Sequence, residues 1–121
     1  MPQSPTLVPQ LAVSSAIGFG VPITVSATAR TLAASDLGKL IQFTSASAVT
    51  LTIPADATVN FPIGRTAIPF QQAGAGKITV VAAAGVTLNA ASGLVHSNAQ
   101  YSILQLIKMA ANNWTLIGDR S

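Results

Sequence analysis

The 121-residue sequence is long enough for one domain with its own core, and its composition argues against several classes of protein. Half of the residues are hydrophobic, yet only 7% are charged, against about a quarter in an ordinary soluble domain. There is no cysteine, which excludes a disulfide framework and thiolate chemistry. The net charge of +3 comes from scattered basic residues, and aromatic residues are few, so no nucleic-acid partner is expected.

The composition also predicts that this protein associates with other chains. Alanine is the commonest residue, with 21 copies, so an average core side chain buries little area. A thin core and a surface poor in charge favour packing against copies of the same chain. No run reaches the roughly 20 apolar residues of a membrane-spanning helix. Residues 1–10 lack the basic region and apolar run of a secretory signal, so neither a membrane partner nor export is expected.

Residues 1–28 predict an extended N-terminal arm that can include a first strand. Pro2, Pro5 and Pro9 fix their own φ and bias the preceding residue away from helix. Two interpretations stay open: the arm is a disordered terminus, or it docks on a neighbouring subunit. The candidate interface residues are the apolar ones of this arm: Leu7, Val8, Leu11, Val13, Ile17 and Phe19.

After the arm, the chain alternates short apolar patterns with turn residues. Residues 23–28, 40–44 and 49–53 each predict a strand, because apolar and polar side chains alternate with a period of two. The small residues 45–48 predict a link that pairs the second and third of these strands as an antiparallel hairpin. Residues 30–39 favour a single helical turn followed by a tight turn.

The stretch Ala73-Gly74-Ala75-Gly76-Lys77 could be a phosphate-binding loop or a turn, because glycines before a lysine can bind a phosphate. In the phosphate-loop pattern the leading glycine would fall on Gln71, and Ile78 stands where Ser or Thr is required. A β run also follows, where that pattern requires a helix. The stretch therefore predicts a hairpin turn between short strands at 66–71 and 77–81.

The C-terminal third predicts a further short strand at 86–88, a loop at 90–100 and a final hairpin. Residues 101–109 are apolar on both faces, which favours a strand buried on both sides over a short buried helix. Asn112-Asn113 suits a tight turn, and the returning strand carries Trp114. In total, eight to ten short strands predict an all-β fold, a small antiparallel β-sandwich or barrel over residues 29–121.

No residue pattern predicts catalysis, a cofactor or a metal. His96 is the only histidine, and Ser97 beside it lacks the setting of an activated nucleophile. Asp36, Asp56 and Asp119 are far apart in sequence, each at a turn or strand end, where aspartate usually bonds local backbone. We therefore expect a protein that is not an enzyme, with no catalytic, cofactor-binding or metal-binding residues.

Several motifs, in this order, resemble a module common in virion proteins of tailed bacteriophages. They are TLAASDLGK from Thr31, VTLTIPA from Val49, PIGR from Pro62, QQAGAGKITVVAAAGVTLNA from Gln71 and YSILQLIKMAANNWTLIGD from Tyr101. The resemblance covers residues 31–119 and departs little from the pattern there. The arm before it is not part of the pattern, and the motifs are mostly structural turns.

The resemblance implies a phage virion structural protein without enzymatic activity. The favoured function is a capsid decoration or cement protein that acts as a homotrimer, is made in the host cytoplasm and stabilises the capsid shell from its surface. Its partners would then be copies of itself and the major capsid protein or another virion protein. The alternative is a tail-fibre, head-fibre or appendage module that recognises a host surface glycan or protein through loops at 60–65 and 92–100.

Overall fold

The computed structural model describes residues 21–121, which form nine β-strands and two single-turn 3-10 helices. The strands are β1 (Ile23–Val25), β2 (Ala29–Thr31), β3 (Ile41–Phe43), β4 (Val49–Ile53), β5 (Ala67–Gln72), β6 (Ile78–Ala82), β7 (Thr87–Ala90), β8 (Ile103–Ala110) and β9 (Asn113–Gly118). The helical turns are Ala34–Asp36 and Ala91–Gly93. The predicted all-β class is confirmed, and the strand number lies within the predicted range.

The strands form two sheets, and most neighbouring strands run parallel. One sheet has six strands in the order β1-β3-β5-β8-β9-β7, and the other has three in the order β2-β4-β6. Only β8 is antiparallel to its neighbours, β5 and β9. The predicted antiparallel arrangement is therefore wrong for the larger part of the fold. Period-two alternation reports one buried face of a strand, but it does not report the direction of the neighbouring strand.

The chain alternates between the sheets, so that its first six strands wind around a common core. Each pair β1-β2, β3-β4 and β5-β6 places one strand in each sheet, and each pair stacks in parallel on the one before it. The antiparallel hairpin predicted for residues 40–53 is wrong for this reason. The link at residues 44–48 crosses from one sheet to the other instead of reversing the chain within one sheet.

Each strand pair, with the link that joins its two strands, forms one winding of the chain. The links of successive windings stack as closely as the strands do. The N–H of Gly76 donates to the carbonyl of Ser45 over 2.9 Å, and the N–H of Gly74 donates to the carbonyl of Phe43 over 2.9 Å. A Cβ added to Gly76 would lie 1.9 Å from the carbonyl oxygen of Ser47, and one added to Gly74 would lie 2.3 Å from that of Ser45. These glycines are needed because another backbone occupies the space of a side chain.

The core is a single cluster to which both sheets contribute. The fully or nearly fully buried apolar residues are Val25, Leu32, Ile41, Phe43, Val49, Leu51, Ile53, Phe61, Ile68, Phe70, Ile78, Val80, Leu104, Leu106, Trp114 and Leu116. Phe43 and Phe70 meet edge to face with ring centroids 6.3 Å apart, and Phe61 and Trp114 do so at 5.5 Å. No alanine of residues 21–121 is among these buried residues, so the core is built from larger side chains than the composition predicted.

The β8-β9 hairpin is inserted between β5 and β7, and it is the part of the topology that the sequence predicted correctly. Asn112 adopts a positive φ of 48° in the turn, which asparagine tolerates better than most residues. Strand β9 then returns antiparallel to β8, with Leu106 opposite Leu116. The segment between β4 and β5 packs against this hairpin through Phe61, which contacts Trp114.

Candidate functional surfaces

The six candidate interface residues of the arm, Leu7, Val8, Leu11, Val13, Ile17 and Phe19, lie outside the described residues. The structure does describe the segment that follows them. Val21 is 84% exposed, and β1 begins two residues later. The first strand of the predicted arm is therefore a member of the six-stranded sheet, where it pairs with β3.

Strands β1 and β2 are the outermost strands at the same end of the two sheets. Within residues 21–121, each pairs on one side only, β1 with β3 and β2 with β4. The N–H of Ile23 and the carbonyl of Val25 bond to the backbone around β3, so in a parallel ladder the backbone groups of Thr24 point outward. Both strands are three residues long, and each leaves an open edge to which another strand can add.

His96 and Ser97 serve as a structural connection between the sheets. The Nδ1 atom of His96 lies 2.8 Å from the hydroxyl of Thr79 on β6. The hydroxyl of Ser97, which is fully buried, accepts from the N–H of Ile78 over 2.8 Å and donates to the side-chain oxygen of Gln72 on β5. No aspartate is among these partners, so the arrangement lacks the acid that would orient a catalytic histidine.

Ser97→Ala is expected to lower the free energy of unfolding by about 1–3 kcal/mol, because it leaves the N–H of Ile78 and the oxygen of Gln72 buried without a partner. Urea denaturation followed by circular dichroism measures this loss. Ser92→Ala is the matched control, because Ser92 is an exposed serine in the same segment. Equal stability of the two variants would contradict the structural role of Ser97.

The stretch Gly74-Ala75-Gly76 is neither a phosphate-binding loop nor a hairpin turn. It links β5 in the six-stranded sheet to β6 in the three-stranded sheet, so the predicted hairpin is wrong. The N–H groups of Gly74 and Gly76 already bond to the preceding winding and are not available to a phosphate. Lys77 points its amine to the hydroxyl of Ser121 at 3.0 Å.

The three aspartates lie at separate turns, and the prediction that they bond local groups holds for Asp36 but is wrong for Asp56 and Asp119, whose side chains bond to residues at least 17 positions away. Asp36 is buried, pairs with Arg30 and accepts from the N–H of Ala33. Asp119 accepts from the hydroxyl of Ser102 at 2.6 Å. Among residues 21–121, no three His, Cys, Asp or Glu side chains cluster in a way that could hold a metal ion.

The third aspartate, Asp56, belongs to a buried ionic cluster that the sequence did not predict. The ammonium group of Lys108, completely buried, lies 2.8 Å from the Asp56 carboxylate, and it donates to the side-chain oxygen of Asn60 at 3.0 Å and the carbonyl of Phe61 at 2.7 Å. The amine thus donates two hydrogen bonds and forms one ion pair. The alternation of β8 contained the signal, because Lys108 has the same parity as the core residues Leu104 and Leu106.

Asp56 also forms hydrogen bonds to the turn between β8 and β9. Its carboxylate accepts from the N–H of Asn112 at 3.1 Å, while its own N–H donates to the Asn112 side chain at 2.8 Å. The hydrogen bond from Lys108 is the main cause that lowers the pKa of Asp56 below its ordinary value of 3.8; partial desolvation opposes the shift, and the Asn112 N–H and the Lys108 charge add to it. The cluster therefore joins the β4-β5 segment to the hairpin.

The two loops of the host-recognition alternative lie near opposite ends of β8. The N–H of Gly64 bonds to the carbonyl of Lys108, close to the C-terminal end of the strand. The N–H of Ala99 bonds to the Ser102 hydroxyl just before the strand begins. At about 3.4 Å per residue, the strand separates the two loops by roughly 20 Å. They do not converge on one binding site.

The outer faces of the two sheets differ in chemistry. On the three-stranded sheet, threonines at positions 31, 50, 52 and 79 point outward. On the six-stranded sheet, the outward residues of β8 and β9 include three exposed apolar side chains, Ile103, Met109 and Ile117, at 49, 55 and 41% exposure. The prediction that β8 is buried on both faces is wrong for the single chain, because its outer face is open.

Comparisons of the chain with known protein families, curated proteins and solved structures gave no match. In residues 21–121, no helix has the length and apolar character needed to cross a membrane.

Proposed function

We propose that this chain is a structural protein of a tailed-bacteriophage virion, a decoration or cement protein that binds the capsid shell as a homotrimer. The motifs between residues 31 and 119 support the family, because they resemble those of phage virion modules in content and order. In the fold these motifs form turns and strand contacts. The Asp36 motif closes the turn before β3, and the glycine motif lies where the windings stack. These motifs therefore stabilise the fold, and we assign the binding role to other parts of the chain.

The observation that carries the binding mode is the presence of unpaired sheet edges at the strands that follow the arm in sequence. Residues 1–20 directly precede the segment of β1, and among residues 21–121 no strand pairs with the outer side of β1 or β2. An extended arm with apolar residues can add to such an edge on a neighbouring chain, where main-chain hydrogen bonds supply affinity without special side chains. Each three-residue edge offers few hydrogen bonds, so apolar contacts from the arm must add to the affinity.

Deletion of residues 1–20 is expected to abolish binding to the capsid shell and to leave the fold of residues 21–121 intact. The physical reason is that residues 21–121 by themselves supply a cluster of buried apolar side chains and both sheets. The measurement is co-sedimentation of the purified protein with shells of the encoding phage that lack it, together with circular dichroism and the melting temperature of the truncated protein.

Two point-substituted proteins sharpen this test. Leu11→Ser with Val13→Ser removes apolar contacts of the arm, while Gln3→Ser with Gln10→Ser changes polar positions of the same arm as a matched control. We expect the first pair to weaken shell binding by at least about tenfold and the second to leave it unchanged. Full shell binding by the folded truncated protein would refute the role of the arm.

The host-recognition alternative has less support. Its two loops lie near opposite ends of β8, and Asn60 in the first loop is engaged with the buried Lys108. Exposed aromatic residues that could stack on a sugar are also scarce in the described part of the chain, where Tyr101 alone is strongly exposed, at 66%.

A further inference from the structure

Strand β8 has apolar side chains on both faces, but the single chain buries only one of them. Leu104 and Leu106 point into the core and are buried, whereas Ile103 and Met109 point outward and are about half exposed. Ile107, between them on the outer face, is partly exposed. A strand with this composition is typical of a sheet covered on both sides. We therefore expect the outer face to be covered either by another chain or by a segment of this chain other than residues 21–121.

The strand register brings further apolar residues to the same place. Ile117 on β9 lies opposite Gln105, diagonally next to Ile103, and Ala67 on β5 lies opposite Ile107. Pro69 on β5 lies opposite Gln105 from the other side, but it is already buried within the chain. We call the patch formed by Ala67, Ile103, Ile107, Met109 and Ile117 the outer apolar face.

Amide side chains flank the outer apolar face on both sides. On the side of β3, the amide nitrogen of Gln42 lies 3.2 Å from the side-chain oxygen of Gln71. On the side of β7, the amide of Asn89 donates to the side-chain oxygen of Asn113 at 3.0 Å. An apolar centre with a polar, hydrogen-bonding rim is the usual anatomy of a protein–protein interface.

No charged residue lies on the outward positions of the six-stranded sheet in the described chain. The outward residues of its strands are Thr24, Gln42, Ala67, Pro69, Gln71, Thr87, Asn89, Ile103, Gln105, Ile107, Met109, Asn113, Thr115 and Ile117. Two copies of a chain with net charge +3 repel each other wherever like charges meet. An uncharged face avoids that repulsion, and amides are complementary to amides because each one both donates and accepts.

We propose that the outer apolar face is the contact surface between copies of this chain. This inference rests on the homo-oligomeric part of the proposed function and adds the surface that forms the oligomer. Three strands about 4.8 Å apart and six to eight residues long give a footprint of roughly 300 Å². Stable interfaces cover about 800 Å² per partner, so the face forms the apolar centre of the contact and the amides form part of its rim.

The threonine face of the other sheet supports the choice of this surface. Its outward positions carry Thr31, Thr50, Thr52 and Thr79 together with Ala29 and Val81, so its one exposed large apolar side chain is Val81, at 36%. Both faces lack charge, and the face of the three-stranded sheet is the more polar of the two. The threonine face is therefore the internal control for the experiment.

The test measures the mass of the full-length protein by sedimentation velocity and light scattering over a range of concentrations. The wild-type protein is expected to be oligomeric. Ile103→Asp with Ile117→Asp should weaken association by at least about 100-fold, because each contact would bury two charges without partners. Thr50→Asp, a charge at an exposed central position of the other sheet, is expected to keep the oligomer.

A milder pair keeps the proposal falsifiable if the aspartates prevent folding. Ile103→Thr with Ile117→Thr retains β-branched side chains that suit a strand and gives this face the character of the other one. Association should then weaken by about tenfold or more. A monomeric wild-type protein, or a folded variant of either pair that associates as the wild type does, would overturn the proposal.

Two further outcomes separate this inference from the capsid role. A wild-type monomer that still binds shells overturns the contact surface alone, while an oligomer that depends on the outer apolar face and ignores shells leaves the surface and overturns the capsid role. If the wild type is monomeric and becomes oligomeric after deletion of residues 1–20, the arm of the same chain covers the face, and the proposal is wrong.

Discussion

Gly76→Ala is expected to lower the free energy of unfolding by about 3 kcal/mol or more, because among the glycines of residues 21–121 an added Cβ meets the closest backbone contact here. The new Cβ would lie 1.9 Å from the carbonyl oxygen of Ser47 and 2.8 Å from that of Ser45. Both obstacles are backbone atoms of the preceding winding, so no side chain can rotate away. Relief requires the two stacked turns to separate, which also stretches the Gly76–Ser45 hydrogen bond.

The measurement is chemical denaturation of the wild-type and variant proteins. Ala75→Ser is the matched control, because Ala75 lies between the two glycines and is exposed, so its extra atom meets water. We expect a change within about 0.5 kcal/mol for the control. A loss below about 1 kcal/mol for Gly76→Ala would mean that the stacked turns are not held in this close arrangement.

The sequence predicted strands better than it predicted their arrangement. Alternation in residues 49–53 identifies β4 and its buried face, because one residue in two meets the core whatever the direction of the neighbouring strand. It carries no information on that direction. The links at 44–48 and 73–77 contain small residues and glycines, which suit a hairpin and an inter-sheet crossing equally well. The direction became evident only from the pairing of β4 with β2 and β6.

The β8-β9 hairpin was predictable for a local reason. Asn112 tolerates a positive φ, and the strands on either side of it are next to each other in sequence, so the turn itself determines their pairing. Pairings such as β3 with β5 depend on residues 29 positions apart, for example Ile41 with Phe70. No local turn chemistry determines such a contact.

The candidate surfaces were also predictable only where local sequence determines them. The apolar outer face of β8 was visible in the sequence as an apolar run on both faces, although only the fold shows that Ile117 lies beside Ile103. The open edges of β1 and β2 could not be predicted, because β2 itself was assigned to a turn region. The arm residues from Leu7 to Phe19 stay a prediction.

Lys108→Met is expected to lower the free energy of unfolding by about 2–3 kcal/mol at neutral pH, because it leaves the buried carbonyl of Phe61 without a donor and the partly exposed carboxylate of Asp56 without its cation. Methionine matches the length of the lysine chain, so the packing of β8 changes little and the lost interactions dominate. Lys39→Met, the same substitution at an exposed position, is expected to change stability by less than about 0.5 kcal/mol.

The pH dependence of stability distinguishes the ionic contact from a packing defect. The pKa of Asp56 is lowered in the folded protein, chiefly by the hydrogen bond from Lys108, so the stabilisation is complete above the ordinary value of 3.8 and is lost as the pH falls through the lowered folded value. Lys108→Met removes that cause. The stability difference between wild type and Lys108→Met should therefore shrink as the pH falls from neutral through this range, because protonated Asp56 no longer needs a cation. A difference that stays constant down to the acid limit of folding would assign the loss to packing alone and refute the ionic role of Lys108.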